Sequence, residues 1–209
     1  MIEARLTLGQ SRACKAIAIA FAAAAAFRLA IICAAALAPQ LMAVTIACDR
    51  HGCAAQAAPL NLLPDDVRAL AETGPDPERV LQDHLGSRGV RQVLLAGQMV
   101  IDVPVIGLLL SVAWGIWALG RTEGRALDRS LPWLRRGALF ALIAVMAVPL
   151  GQALQTTQLA QAFDPDAAFA LRVNLGRWAL NLLLALVALA VSWALAAGLR
   201  AEQDLAEIV

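Results

Sequence analysis

The sequence predicts an all-α, polytopic membrane protein: a bundle of four transmembrane helices, N-in and C-in, with a small helical extracytoplasmic segment between helices 1 and 2. Three observations carry this expectation. First, the chain is 60% hydrophobic and 16% charged, with a mean hydropathy of +0.69, whereas soluble domains sit near ~45–50% and ~25%. Second, the excess is gathered in four blocks, 16–47, 92–119, 134–158 and 166–199. Each exceeds the roughly 20 residues needed to cross a hydrocarbon core at about 1.5 Å per residue. Third, Lys and Arg are shared unevenly among the connections, as orientation in a membrane requires. No internal repeat or low-complexity linker divides the chain, so one membrane domain, 1–209, is expected. The formal net charge of +1 provides no field to attract nucleic acid.

The first block follows "MIEARLTLGQSRACK", and "AIAIAFAAAAA" after it has the layout of a signal peptide cut near Ala26. Apolar sequence nevertheless continues from Leu29 to Ala47 with no polar mature start, so an uncleaved first helix is expected. "VTIAC" before Cys48 approximates a lipoprotein cleavage box, but Thr45 stands where an aliphatic residue belongs.

Residues 48–91 form a segment too long for a simple turn. It should contain two short amphipathic helices. One begins at "LPDDVRALAE", where Pro64 and the acids suit a helix start. The other is "DPERVLQDHLG", with Asp76 as cap, Pro77 at the first position and Gly86 as the stop. Val80, Leu81 and Leu85 make its apolar face, and His84 is expected to be solvated near its end. "ACDRHGCAA" opens the segment, and Cys48 and Cys53 face an oxidising compartment under the expected orientation, so a local disulfide is the leading reading. A metal site from Cys48, His51 and Cys53 would be crowded and lacks a fourth ligand. A thiol–disulfide oxidoreductase would need a second pair to relay electrons, and Cys14 and Cys33 do not supply one.

The second connection carries Arg121, Arg125, Arg129, Arg135 and Arg136, and the N-terminal segment carries Arg5, Arg12 and Lys15. The third connection has no Lys or Arg, and the first mixes five Arg with seven acids. Both termini and the second connection therefore belong in the cytoplasm. Trp117, Trp133 and Trp193 fall near the cytoplasmic ends of their helices, where indoles favour the interface.

Charges inside a bilayer are costly and usually face partners or cavities. Asp102, in "AGQMVIDVPVIGLLL", precedes Trp117 by 15 residues, and Arg177 precedes Trp193 by 16. The second and fourth spans run the same way, so the two heights differ by roughly 1.5 Å and an Asp102–Arg177 pair is expected. Asn174, Arg177, Asn181, Ala185, Ala188 and Ser192 form one stripe on the fourth span. Gln98 and Asp102 are i,i+4 neighbours on the second, followed by the small row Gly107, Ser111 and Gly115. Gln152 and Gln155 stand at the outer end of the third span, after Pro149, whose missing N–H is expected to kink it. The expected intramembrane cluster is thus Asp102, Arg177, Gln98, Asn174, Asn181 and Gln152. Arg28 either reaches this cluster or snorkels to the cytoplasmic headgroups, and the second placement is preferred. A buried pair of this kind fixes helix register or marks an outward-open solute site.

Past the second span, "GRTEGRALDRSLPWLRRGALFALI" resembles the cytoplasmic turn of a group of small bacterial inner-membrane proteins, domain of unknown function 2975: a Gly, a short acidic–basic helix, then "LRR-G" opening the third span. "ALAAGLRAEQDLAEIV" is similar to that group's last helix and acidic tail. Gln203 stands where an Asn is common, and Ala206–Glu207 lengthen the tail. The resemblance covers most of the chain and implies a four-helix integral membrane protein, with a helix-turn-helix regulator as neighbour in some relatives. It carries over no catalytic residue.

No nucleophile–base pair, phosphate loop or metal cage is legible. A non-enzymatic inner-membrane protein without a cofactor is expected, acting as a regulatory or interaction partner. Its partners would be the lipid bilayer, a cytoplasmic regulator or a second copy of itself. A small carrier using the polar cluster is the alternative, and a thiol–disulfide oxidoreductase the third reading.

Overall fold

The computed structural model describes residues 8–37, 44–49, 52–57, 67–69, 71, 76–120, 126–169, 171 and 173–208. Its elements are helix α1 (Leu8–Leu37), strands β1 (Val44–Asp49) and β2 (Gly52–Ala57), and helices α2 (Pro77–Gly86), α3 (Arg88–Leu119), α4 (Ala126–Ala160) and α5 (Leu175–Ile208). Within α1, α3, α4 and α5, the stretches Gly9–Ala34, Arg88–Leu119, Asp128–Ala160 and Leu175–Ala201 are long and apolar enough to cross a membrane. The expected four-helix architecture is therefore present.

Two boundaries differ from the sequence reading, each for a local reason. The first helix closes at Leu37 rather than running to Ala47. Pro39 follows, and a proline disfavours helical geometry at the residue before it. Beyond it, β-branched Val44, Thr45 and Ile46 suit extended backbone and form β1, which pairs antiparallel with β2. The segment after the first span thus opens with a hairpin, ahead of the stretches expected to be helical. The last long helix begins at Leu175 rather than near 166. Asn174 is its N-cap: its Oδ1 accepts from the Arg177 backbone N–H at 3.2 Å, satisfying one of the four orphan donors of a helix start. Pro149, by contrast, lies within an uninterrupted α4.

The chain forms two compact units, one of Met1–Leu29, Asp102–Ala147 and Val173–Val209, the other of Ala30–Ile101 and Val148–Arg172. In the first, α1 and α3 run antiparallel. Ser11 Oγ donates to the Gly120 carbonyl at 2.6 Å, and Arg28 bonds Asp102 at 3.0 Å. Seventeen residues separate the two contacts on α1 and eighteen on α3, so each helix covers the same rise of roughly 26 Å. The expected small row of α3 meets α4: a Cβ on Gly107 would fall 2.7 Å from the Phe140 ring, and Ser111 lies against Gly137. Close backbone approach of this kind holds helices together where lipid removes the usual hydrophobic drive.

In the second unit, α3 and α4 touch at Gly97 and Gly151, where a side chain on either would press on the other's carbonyl. A small apolar core gathers Ala71, Leu81 and Leu159, with Val67, Leu85, Ala162 and Phe163 packed on it. Leu81 and Leu85 of α2 thus turn inward as expected, whereas Val80 is exposed. Asp76 precedes α2 in left-handed backbone geometry, and its carbonyl, not its side chain, receives the first helical bonds. His84 is not simply solvated: its Nε2 lies 3.1 Å from the Gln158 carbonyl of α4. Of "LPDDVRALAE", only 67–69 and 71 are described, and they are helical; Pro64 and the acids lie outside the described residues.

The burial pattern decides what solvent these helices suit. Among the described residues, the buried positions of the long helices are mostly small: Ala18, Ala25, Ala113, Ala138, Ala144, Ala147, Ala153, Ala185, Ser11, Ser111, Ser130 and Ser192. Many large ones, including Phe27, Val103, Trp114, Ile143, Leu183 and Leu184, are exposed. Only 17–33% of the most apolar stretch of each long helix is buried within the chain. A water-soluble domain rarely exposes so much contiguous apolar surface. Small residues inside and large ones outside is the arrangement of helices packing in lipid.

Candidate functional site

Asp102 sits near the middle of α3, two residues before Pro104. It is fully buried, and Arg28 from α1 meets it at 3.0 Å, with 48% of the Arg28 side chain exposed. Asp102 also makes a further interaction. The carboxylate is therefore enclosed and its partner reaches in from the surface. A hydrogen bond between two ionised groups is roughly twice as strong as a neutral one, and a carboxylate held in a poor solvent needs it most.

The expected partner was Arg177, and that pairing is not what the structure contains. Arg177 lies exposed in the first turn of α5, its backbone N–H on the Asn174 cap. With the helix starting at Leu175, Arg177 stands at the helix end and not well inside the span. Arg28 replaces it because α1 occupies Leu8–Leu37; a first span taken as 16–47 places Arg28 nearer the cytoplasmic end than it belongs. The snorkelling alternative for Arg28 is corrected by the same contact.

The other members of the expected cluster disperse. Asn174 serves as a cap, and Asn181 is exposed, although Ala185 and Ser192 on the same stripe are buried. Gln152 is exposed, and its main-chain carbonyl accepts from Thr156 Oγ1. Gln98 is held, in the second unit, by Gln155, whose Nε2 donates to Gln98 Oε1 at 3.0 Å. The structure thus contains an ion pair in one unit and an amide pair in the other. Ser11, whose hydroxyl ties α1 to the carbonyl beyond α3, was not singled out from sequence. A lone Ser near a helix start carries no signal of such a distant bond.

Within the hairpin, Cys48 stands directly opposite Cys53, one pair inside Asp49 and Gly52. Opposed residues of an antiparallel pair have Cα atoms about 4.5–5.5 Å apart, inside the span a disulfide can bridge. His51 lies outside the described residues. Cys14 and Cys33 are free thiols. Among the described residues, no group of three or more His, Cys, Asp or Glu is placed to hold a metal ion.

Two surface grooves lie in the first unit. One, of about 340 Å³, lies between α1 and α3 and is lined by Ala18, Ile19, Ala22, Ala113, Trp114 and Trp117. The other, of about 790 Å³, lies between the start of α4 and the end of α5 and carries Asp128, Arg135, Arg136 and Arg200. Neither is lined by Asp102. Next to the second groove, Arg136 lies over the Trp133 ring at 4.7 Å, and Trp133 packs against Trp114 at 5.8 Å. No protein-family model, curated protein or solved structure matches this chain.

Proposed function

We propose that this chain is a bacterial inner-membrane protein with both termini in the cytoplasm, that it catalyses no reaction, and that it acts through contacts as a regulatory partner. The observation that carries this reading is the closure of Asp102. A carrier that bound a solute or ion at its intramembrane carboxylate needs a water-filled approach to it, and Asp102 has no exposed surface. An enclosed carboxylate with an arginine partner is suited to fixing the register of two helices. What remains for interaction is the polar material at the helix ends and in the hairpin. The resemblance to domain of unknown function 2975 supports the same direction, because a transcriptional regulator neighbours some relatives.

The orientation follows from the arginines before and within the start of α4, among them Arg129, Arg135 and Arg136, which favour the cytoplasmic face. The hairpin then lies in an oxidising compartment, where Cys48 and Cys53 form a disulfide that staples its two strands.

In-cell crosslinking followed by detergent extraction tests the reading. It expects a defined protein partner held by the intact chain. Recovery of lipid and self alone, together with measurable solute flux in liposomes, contradicts it and favours the carrier. Reporter fusions test the orientation separately: a C-terminal fluorescent protein that folds only in the cytoplasm should be bright, and a dark one refutes the assignment.

A further inference from the structure

We propose that the groove between the start of α4 and the end of α5 is a binding site for an anionic phospholipid. The groove has about 790 Å³ and a lining that is both charged and apolar. Arg135 and Arg136 from α4 and Arg200 from α5 share it with one carboxylate, Asp128, an excess of two positive charges among these four groups. Leu139 from α4 and Trp193 from α5 line it as well, and both are exposed large hydrophobics. The two helices reach the groove from opposite chain directions, so the charged start of α4 meets the charged end of α5 and apolar surface follows on both.

That order matches a phospholipid and not a free anion. A phosphate held by the arginines leaves acyl chains to lie along the exposed apolar side chains Leu139 and Trp193. Guanidinium groups recognise phosphate oxygens through forked N–H donors. Among the described residues, Arg135 and Arg200 make no ion pair that would compete, and Arg136 is oriented by its stacking near the Trp133 ring. A zwitterionic lipid brings its own cation to the same place and gains less. Basic pockets between membrane helices at the cytoplasmic surface favour anionic headgroups on the same grounds. The inference rests on the membrane assignment of the four helices and not on the proposed regulatory role. Its test reads lipid selectivity, so the two fail separately.

The test is native mass spectrometry of the full chain, delipidated in detergent and titrated with cardiolipin, phosphatidylglycerol or phosphatidylcholine. The intact chain should prefer the two anionic lipids. Arg135→Gln with Arg200→Gln should weaken that preference about thirtyfold, the equivalent of the roughly 2 kcal/mol that two basic side chains near an anionic surface contribute. Arg135→Lys with Arg200→Lys keeps the charge but not the forked donors and should lose less than the Gln pair, which separates lost recognition from lost folding. Arg12→Gln with Lys15→Gln removes two charges from exposed positions on α1 and should leave the preference intact. Equal affinity for all three lipids, or equal losses in the groove and control variants, overturns the proposal. So does groove-dependent binding of poly-glutamate without lipid selectivity, which would assign the groove to an acidic protein segment.

Discussion

Replacing Gly151 by Ala should destabilise the protein, while the same replacement at Gly198 should stabilise it slightly. In both places the glycine is helical, and Ala is the better helix former by about 0.5–1 kcal/mol. At Gly198 nothing lies within 4 Å of the added methyl group, so the helix preference stands alone. At Gly151 the methyl falls 2.6 Å from the Gly97 carbonyl oxygen and also presses on Ile101. Ile101 can rotate, but the carbonyl belongs to a helix backbone and cannot yield without separating α3 from α4. Overpacking of this kind costs about 1–3 kcal/mol, which outweighs the gain in propensity. Gly97→Ala should fall between the two, because its nearest contacts are milder, 3.0 Å to Gln155 Cγ and 3.1 Å to the Gly151 carbonyl.

Thermal unfolding of the three variants in one detergent measures this order directly. The expected melting temperatures rank Gly198→Ala highest, then the parent protein, with Gly97→Ala below Gly198→Ala and Gly151→Ala the lowest of all. A Gly151→Ala protein as stable as Gly198→Ala would refute the reasoning, since it would mean that the two helices do not touch through their backbones.

Asn174→Ala should destabilise the start of α5 by about 0.5–2 kcal/mol, as loss of an N-cap does; Asn174→Asp should retain most of the stability, checked by the same melts. Cys48 and Cys53 should resist alkylation in protein taken from unreduced membranes and react after reduction, with a mass change of two hydrogens. Ready alkylation of both before reduction would remove the staple from the account.

The architecture was legible because apolar length is a direct requirement of the bilayer, and four stretches of the chain meet it. The packing face of α3 was legible too: Gly107, Ser111 and Gly115 are small at helical spacing, and small residues are what let helices meet in lipid. What hid the ion pair was an error at a helix end. Ala-rich sequence carries apolarity past Pro39, so hydropathy extended the first helix by ten residues, although the proline itself marked the stop. Asn174 misled for a related reason. Its amide was counted as one more polar group on a face, when an Asn three residues before an arginine also fits a cap whose side chain serves the backbone. The Gln98–Gln155 bond was only half legible, because either Gln152 or Gln155 satisfies the helical spacing.

The most direct test of the central claim is a double-mutant cycle on Arg28 and Asp102, with Arg177 as control, by reversible unfolding in mixed micelles. Arg28→Met leaves an enclosed carboxylate without its cation, a loss of about 3–5 kcal/mol. Asp102→Asn should cost less, because Arg28 is half exposed and its long stem lets the freed guanidinium swing toward polar surroundings. The two together should lose less than their sum by about 1–3 kcal/mol, the coupling expected of contacting groups. Arg177→Met should stay within about 0.5 kcal/mol of the parent protein, as exposed substitutions do, and add independently to Asp102→Asn. Additive losses for Arg28 and Asp102, with coupling between Arg177 and Asp102 instead, would contradict the account.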